Sequence, residues 1–401
     1  MITKYWYCNK CKIRAQADFK SEFNLICSEC SGLLELIYEG ELTWKDFDQS
    51  LNGVIKYSQI IPVSRESLEK IIDNNTPEFT KPIESKKLAN FLGVESVHLL
   101  NTTTGPSGTF KDSEAVVVIA KCLDWKLRQR LSWHSTGNTA RAYREYAIRA
   151  GFQSDSYFPL ICINKFKGIE EDNNNVLVAY DGPFQQISQI AKERAKNNNT
   201  LHLAPLPWKI EGKATLAYAI YENIPQANVI VQTIAGGYGV LGLQLGIKRL
   251  RQLNLMNEKI TPRYELFQIE GADTIAKLMP LNREINETDL KLPINPFEPT
   301  LQSTNPLSTF NLIRNIAIET NSNIDSVQTE DVISSRAFFE EECHFLGVDI
   351  SFEDEKSPFI SWAGLVNAKN KKRFLPSDKI VVIVTGSKRR SGKVPKPSLI
   401  I

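Results

Sequence analysis

Apolar, β-branched runs alternate along this chain with longer segments of helical periodicity, and that alternation limits the folds open to it. The runs RLSWHS (130–135), FPLICIN (158–164), NVLVAY (175–180), NVIVQTIAGG (228–237), YELFQIE (264–270) and KIVVIVTG (379–386) read as buried strands. Between them lie GNTARAYREYAIRAG (137–151), PFQQISQIAKERAKNNN (183–199), GKATLAYAIYENI (212–224) and VLGLQLGIKRLRQL (240–253), which carry helical spacing and charged faces. A strand with no polar face must be covered on both sides, so the pattern predicts an α/β protein with largely parallel strands. The proline- and asparagine-rich stretch 280–309 reads as a long surface excursion. The basic end KRRSGKVPKPSLI (388–400) reads as a poorly ordered tail.

With 401 residues, 42% of them hydrophobic, the chain has ample material for a buried core. The formal net charge is only +2, so nothing in the charge balance calls for nucleic acid or an anionic lipid surface as partner. No apolar run approaches the roughly 18 residues of a membrane span. The start, MITKYWYCNK, lacks the apolar core of a secretory signal. A soluble, cytoplasmic protein is expected, with no membrane partner.

The seven cysteines divide unevenly. Cys122, Cys162 and Cys343 lie singly in or beside apolar segments, as small buried hydrophobes do, and are assigned no role. Cys8, Cys11, Cys27 and Cys30 form two CxxC pairs separated by 15 residues, a spacing that reads as a zinc site. Free thiols or a redox pair are the alternative. Four thiolates leave zinc no open coordination position, so the expected role is structural, in a ribbon-like segment over 1–40.

Three glycine-bearing loops follow strands: STGNT (135–139), AGGYG (235–239) and TGSKRR (385–390). Open parallel sheets bind ligands at the carboxyl ends of their strands, and a helix start preceded by glycine suits an anion. Neither GxxxxGK[ST] nor a GxGxxG with its downstream acid is present, which removes the usual reasons to expect ATP or NAD. A lysine, Lys111, closes the turn PSGTFKD (106–112) and opens the apolar segment SEAVVVIAKCL. An anion cradle together with a placed lysine suits pyridoxal phosphate, which needs amide donors for its phosphate and an amine for its aldehyde. Each residue also has a plain structural reading: Ser135 and Asn138 as helix caps, Thr385 as a turn residue, Tyr238 as packing.

PSGTFKD, STGNTARAYREYAIRAG, IEGKATLAYAI, AGGYG and VTG occur in the order that identifies the chain as similar to the threonine synthase group of fold-type II pyridoxal-phosphate enzymes. The resemblance covers about residues 55–390, and some members also carry an amino-terminal zinc ribbon. It implies Lys111 as the Schiff-base lysine, Asn138 at the cofactor ring oxygen, and Gly236, Gly237, Tyr238 and Gly239 as the phosphate cradle. It further implies Thr385 against the pyridine nitrogen, with Ser135, Thr136 and Thr139 receiving the substrate carboxylate. The tryptophan-synthase-β-like fold it implies has a large lobe (41–110 and 181–386), a small mobile lobe (111–180) and a tail (387–401). It also implies a homodimer and an amino acid as the small-molecule substrate.

The family pattern after the lysine is Asp-Arg-Gly, whereas this chain has Asp112-Ser113-Glu114. TFKDSEA, GNTARAY and TGSKRR look closer to cysteate synthase, which replaces the phosphate of O-phosphoserine with sulfite. Arg141 is then a candidate ligand for phosphate or sulfite, or else a surface helix residue. The expected reaction is phosphate elimination and replacement through an aminoacrylate-type intermediate. The alternatives are threonine formation from O-phosphohomoserine, and a catalytically silent protein of the same fold acting as a binding partner. A ribbon fused to an α/β domain for nucleic-acid binding is disfavoured by the near-neutral charge.

Overall fold

The computed structural model describes residues 2–401 apart from 9, 18–24, 33, 204–206, 282, 284, 291–296, 302–305 and 388–391. Its strands are β1 Thr3–Cys8, β2 Arg14–Gln16, β3 Leu34–Glu39, β4 Ile83–Glu84, β5 Ser96–Asn101, β6 Leu131–His134 and β7 Ser154–Pro159. They continue with β8 Asn175–Tyr180, β9 Leu201–His202, β10 Val229–Thr233, β11 Arg263–Ile269, β12 Asn323–Val327, β13 Lys379–Val384 and β14 Leu399–Ile400. The helices are α1 Arg65–Glu69, α2 Lys86–Leu92, α3 Asp112–Asp124, α4 Asn138–Arg149, α5 Phe184–Asn197 and α6 Trp208–Asn223. After them come α7 Tyr238–Gln252, α8 Thr274–Leu278, α9 Phe310–Glu319, α10 Thr329–Phe345 and α11 Ser357–Asn370.

The larger sheet has the order β12-β11-β10-β13-β5-β4, parallel throughout except for the short edge strand β4. Its buried strands explain the unbroken apolar runs. Along β13, Val381 and Ile383 enter one core with residues of α3, α6 and α7, while Ile380, Val382 and Val384 enter another with residues of α10 and α11. Successive side chains leave opposite faces of a strand, so a sheet with helices on both faces favours apolar residues at successive positions.

The second sheet, β14-β8-β7-β6-β9, is parallel throughout. It draws on residues 131–202 and 399–400, and so takes in α5 and β9 beyond the 111–180 expected of the small lobe. Two local expectations need correction. FPLICIN is not a strand: β7 ends at Pro159, and Leu160–Phe166 form a 3-10 turn. Proline has no amide hydrogen for the ladder, and a short apolar run by itself does not separate strand from buried turn. The chain end is not loose either, since Leu399 and Ile400 pair with Val178 and Ala179 of β8. The Ile401 side chain packs on the cluster of Tyr157, Val178, Ile187 and Ala191. The basic residues 388–390 lie outside the described residues.

Helices α6 and α7 lie unusually close. A Cβ at Gly246 would come 2.4 Å from the Ala214 carbonyl oxygen, so only glycine lets the two backbones meet. Across this contact the Arg249 guanidinium donates to both Glu211 oxygens (2.7 and 3.0 Å) and to the Tyr218 hydroxyl (3.0 Å), all of them buried. Arg249 also faces the Tyr38 ring at 4.7 Å, and Leu42 N–H donates to the Leu253 carbonyl, which seats the amino-terminal segment on the outer side of α7.

That segment is the antiparallel sheet β2-β1-β3 carrying two cysteine turns. The sulfurs of Cys8, Cys11, Cys27 and Cys30 all lie within 4.8 Å of one another, with Cys8–Cys30 at 3.4 Å and Cys11–Cys27 at 3.6 Å. Zn–S bonds of roughly 2.3 Å in a tetrahedron put sulfurs about 3.8 Å apart, so the four residues fit one zinc ion. The purified protein should carry one equivalent of zinc by atomic emission. A Cys27→Ser variant should lose it and melt ~5 °C or more lower, since binding free energy of such a site is folding free energy.

Candidate active site

The cleft between the two sheets opens into a cavity of about 540 Å3, within the size range of small-molecule sites. Its wall includes Lys111, Ser135, Thr136, Asn138, Thr139, Gly236, Gly237, Tyr238, Gly239 and Thr385, so residues scattered over 275 positions of sequence converge there.

Lys111 is held from several directions. It sits at the N-cap of α3, after a loop that leaves β5. Thr102 Oγ1 donates to the Val384 carbonyl (2.7 Å), and Phe110 N–H to the Thr385 carbonyl (3.2 Å). Ser387 N–H donates to the Gly108 carbonyl (3.0 Å), and Thr109 bridges Gly386. The loop is thereby sewn to the end of β13. From the other side, Ser107 N–H donates to both Asp112 carboxylate oxygens (3.2 and 3.1 Å). Asp112 is fully buried, and burial pushes its carboxyl up to about 7.

The second loop, after β10, enters α7 through Gly237, whose φ of +80° is left-handed. A Cβ there would lie 1.9 Å from Ile313 Cδ1. No side chain caps this helix, so the first-turn amides face the cavity as an anion cradle. The third loop brings Thr385, whose hydroxyl donates to Ser357 Oγ at 3.0 Å. A glycine cradle, a lysine and a hydroxyl pair on one cavity match the phosphate, aldehyde and ring nitrogen of pyridoxal phosphate, and the residues present fit that group.

In the STGNT loop the hydroxyls are already engaged. Ser135 Oγ accepts from Gly137 N–H (3.0 Å) and Ala140 N–H (2.8 Å), capping α4, and Thr136 Oγ1 donates to the Thr300 carbonyl (2.6 Å). Asn138 Nδ2 donates to Glu355 (2.9 Å), which also pairs with Lys165 (3.2 Å). Lys165 pairs in turn with Glu298 at 3.0 Å. Glu298 and Glu355 belong to segments packed on the large lobe and Lys165 to the small one, so a buried charge network fastens the lobes together beside the cavity.

Arg141 lies elsewhere. It is neither a surface helix residue nor part of the cavity: it is buried, and its guanidinium donates to the carbonyls of Lys165 (3.0 Å) and Lys167 (2.9 Å). It lines a smaller pocket with Gly105, Ser107 and Asp349. Several charged groups of the cavity carry no signal in the sequence, and His134, next to STGNT in the chain, joins them. Glu114 and Lys209 line the cavity, with Lys213 behind them, and His134 stacks on His202 (Nδ1 to Nε2, 3.0 Å). Burial, the neighbouring imidazole and nearby lysines pull His134 down to about 3, which leaves it neutral. Lys213 belongs to IEGKATLAYAI (210–220) and Lys209 lies just before it, yet nothing in their spacing distinguishes them from solvated helix charges.

Gly237→Ala combines a disfavoured φ with a clash, so cofactor retention should fall roughly 10- to 100-fold, as fluorescence titration would read. Ile313→Ala should recover only part of that loss, because it relieves the clash and leaves the φ. A carboxyl raised by burial stabilises the fold below its unfolded value and loses that contribution as pH rises toward 7. Denaturant titrations at pH 4 and pH 7 should therefore show Asp112→Asn removing a pH-dependent difference on the order of 2–4 kcal/mol.

Residues 75–349 match the model of the family described as pyridoxal-phosphate dependent enzyme. A threonine synthase of Methanosarcina acetivorans is 24% identical over 277 residues, covering 67% of this chain and 66% of the relative. A threonine synthase of Methanocaldococcus jannaschii is 24% identical over 268 residues, covering 62% of each. The chain thus matches just under two thirds of the length of these relatives. The structure of maize serine racemase superposes with a TM-score of 0.63 at 20% identity, covering 81% of this chain and 93% of that one, which establishes a shared fold. With more than half its length matched by the family model and a fold-type II architecture around the cleft, the chain belongs to the pyridoxal-phosphate dependent enzymes.

Proposed function

We propose that this chain eliminates phosphate from an O-phospho amino acid and adds a nucleophile in its place, with sulfite addition after loss of phosphate from O-phosphoserine as the leading reading. The observation that carries it is the charge of the cavity wall. Lys209 lies there with no carboxylate within ion-pairing distance among the described residues, beside the neutral His134. Lys209 is half-buried against the Tyr143 ring (5.7 Å to the centroid), so an anion entering the cavity meets a cation that no carboxylate among the described residues neutralises. A phosphate on the substrate side chain would do so, in addition to the cofactor phosphate at the glycine cradle.

Pyridoxal phosphate, when bound, supplies the electron sink that makes the Cα proton removable. The chain's own residues do the rest. Lys111 would take the Cα proton and later return a proton, so one residue serves as base and acid. The α4 end with Ser135, Thr136 and Thr139 would receive the α-carboxylate at the helix start, the Ser135 oxygen being spent as a cap and its amide on the Tyr157 carbonyl (3.0 Å). Thr385 with Ser357 would meet the ring nitrogen, and Asn138 would reach the ring oxygen by leaving Glu355. Lys209 would hold the phosphate while its bond to carbon breaks.

The second reading is threonine formation from O-phosphohomoserine, favoured by the names of the curated relatives. Placement of Arg141 behind the cavity removes one argument for sulfite, while Glu114 in place of glycine keeps the chain apart from the usual threonine synthase pattern. A homodimer is part of the proposal.

Phosphate release from O-phosphoserine and from O-phosphohomoserine, with and without sulfite, is the deciding measurement. Sulfite-dependent cysteate by mass supports the leading reading, and threonine from phosphohomoserine replaces it with the second. Lys111→Ala should abolish turnover of either, and Lys209→Met should raise KM at least ~10-fold for the phosphorylated substrate.

A further inference from the structure

Glu114 stands where the related pattern has glycine, and the structure gives it surroundings unlike those of a solvated helix carboxylate. It is 2% exposed and lines the cavity, and one of its oxygens lies 4.0 Å from Lys111 Nζ. The same oxygen forms an ion pair with Lys213, whose side chain is wholly buried. The Phe110 ring faces both ammonium groups, with Lys111 Nζ 4.3 Å and Lys213 Nζ 4.1 Å from its centroid. Thus two lysines share one carboxylate and one aromatic face, and one of the two is the lysine expected to bond the cofactor.

We propose that Glu114, held in place by Lys213, is a positioning residue that keeps the Lys111 nitrogen aimed at the reacting carbon and favours its proton-bearing state. Lys213 anchors the carboxylate from below, and Lys111 is its partner on the cavity side. When Lys111 carries the proton taken from Cα, the ammonium donates to Glu114 and does not drift toward solvent or the departing phosphate. Glu114 itself makes and breaks no covalent bond. The charges bear this out. Lys213 and Lys111 hold the Glu114 carboxyl down to about 2 against the opposing effect of burial, so it stays an anion, while burial pulls Lys213 down to about 7. Among the described residues, the other ionisable groups facing the pair are Lys209 from α6, Tyr143 from α4 and Tyr238 at the start of α7. None of these is a second carboxylate that could replace Glu114.

This inference rests on the reading of Lys111 as the cofactor lysine, and its test separates the two. Holoprotein reconstituted with pyridoxal phosphate is reduced with borohydride, and the modified residue is located by peptide mass. A label anywhere but Lys111 overturns the underlying reading. The visible band of the holoprotein is then titrated with pH in the absence of substrate. A nearby anion favours the protonated form of the Lys111-bound nitrogen, so Glu114→Gln should move the titration to lower pH by about one unit or more. Glu114→Gln/Lys213→Gln leaves no unpaired buried charge and should shift it the same way by less. Glu114→Asp, which keeps Lys213 paired and withdraws the carboxylate by one methylene, should fall between wild type and Glu114→Gln. Exchange of the substrate Cα hydrogen with deuterated solvent should slow ~10-fold or more in Glu114→Gln with little change in KM. Titration curves that coincide with wild type in all folded variants, differing only in melting temperature, would make the pair a structural ion pair and sink the proposal.

Discussion

The structure depends on the seam between the PSGTF turn and the end of β13. Three backbone or side-chain contacts to Thr385, Gly386 and Ser387 sew this turn to a strand in the middle of the larger sheet. The turn belongs to the chain leaving β5 and the strand lies almost 280 residues later, yet they are neighbours because β5 and β13 pair in parallel over Ser96–Asn101. That pairing lines up the carboxyl ends of both strands. Lys111 and Thr385 then emerge on one rim, with the glycine loop after β10 on the other side of β13. A parallel sheet makes a site in this way because every strand ends on the same side.

Buried charge is managed by pairing, and the pairs differ in purpose. Glu211 with Arg249 is closed off: both carboxylate oxygens and the fork of the guanidinium are satisfied, and the pair binds α6 to α7 under the amino-terminal ribbon. Lys165 with Glu298 and Glu355 spans the lobes, and Asn138 hangs from it. Glu114 with Lys213 borders the cavity, and Lys209 lacks a carboxylate among the described residues. Buried charges left open toward a cavity are where chemistry is done, because the low-dielectric surroundings make each one respond strongly to what binds.

Much of this was legible in the residues. The strand and helix alternation follows from burial on both faces of a sheet, which leaves an unmistakable apolar run in β13 and at the start of β10. The cysteine spacing fits a tetrahedron whatever lies around it. Lys111, the AGGYG loop and Thr385 are marked by local chemistry, a lysine or hydroxyl tied to a turn beside an apolar strand. FPLICIN was misleading because its apolar content matches a strand while Pro159 ends the ladder. The terminal strand β14 was hidden because two residues carry no periodicity, and their pairing is decided by an open edge on β8. Arg141 looked like a ligand in one dimension, but the helix turns it toward the carbonyls of Lys165 and Lys167.

The amino-acid sequence by itself determined what local rules control: which segments bury both faces, where backbone must turn through glycine, and which four sulfurs can share a metal. Tertiary structure alone decided which charges meet. Glu114 and Lys213 are 99 positions apart, and Asn138 and Glu355 are 217 apart. Side-chain polarity and period say that a residue is ionisable and which face of a helix it takes. They carry no information about the partner across a packed interface, because that depends on the mutual placement of α3, α6 and the two lobes. The placement is set by many weak apolar contacts and a few close approaches such as that at Gly246, summed over the whole core.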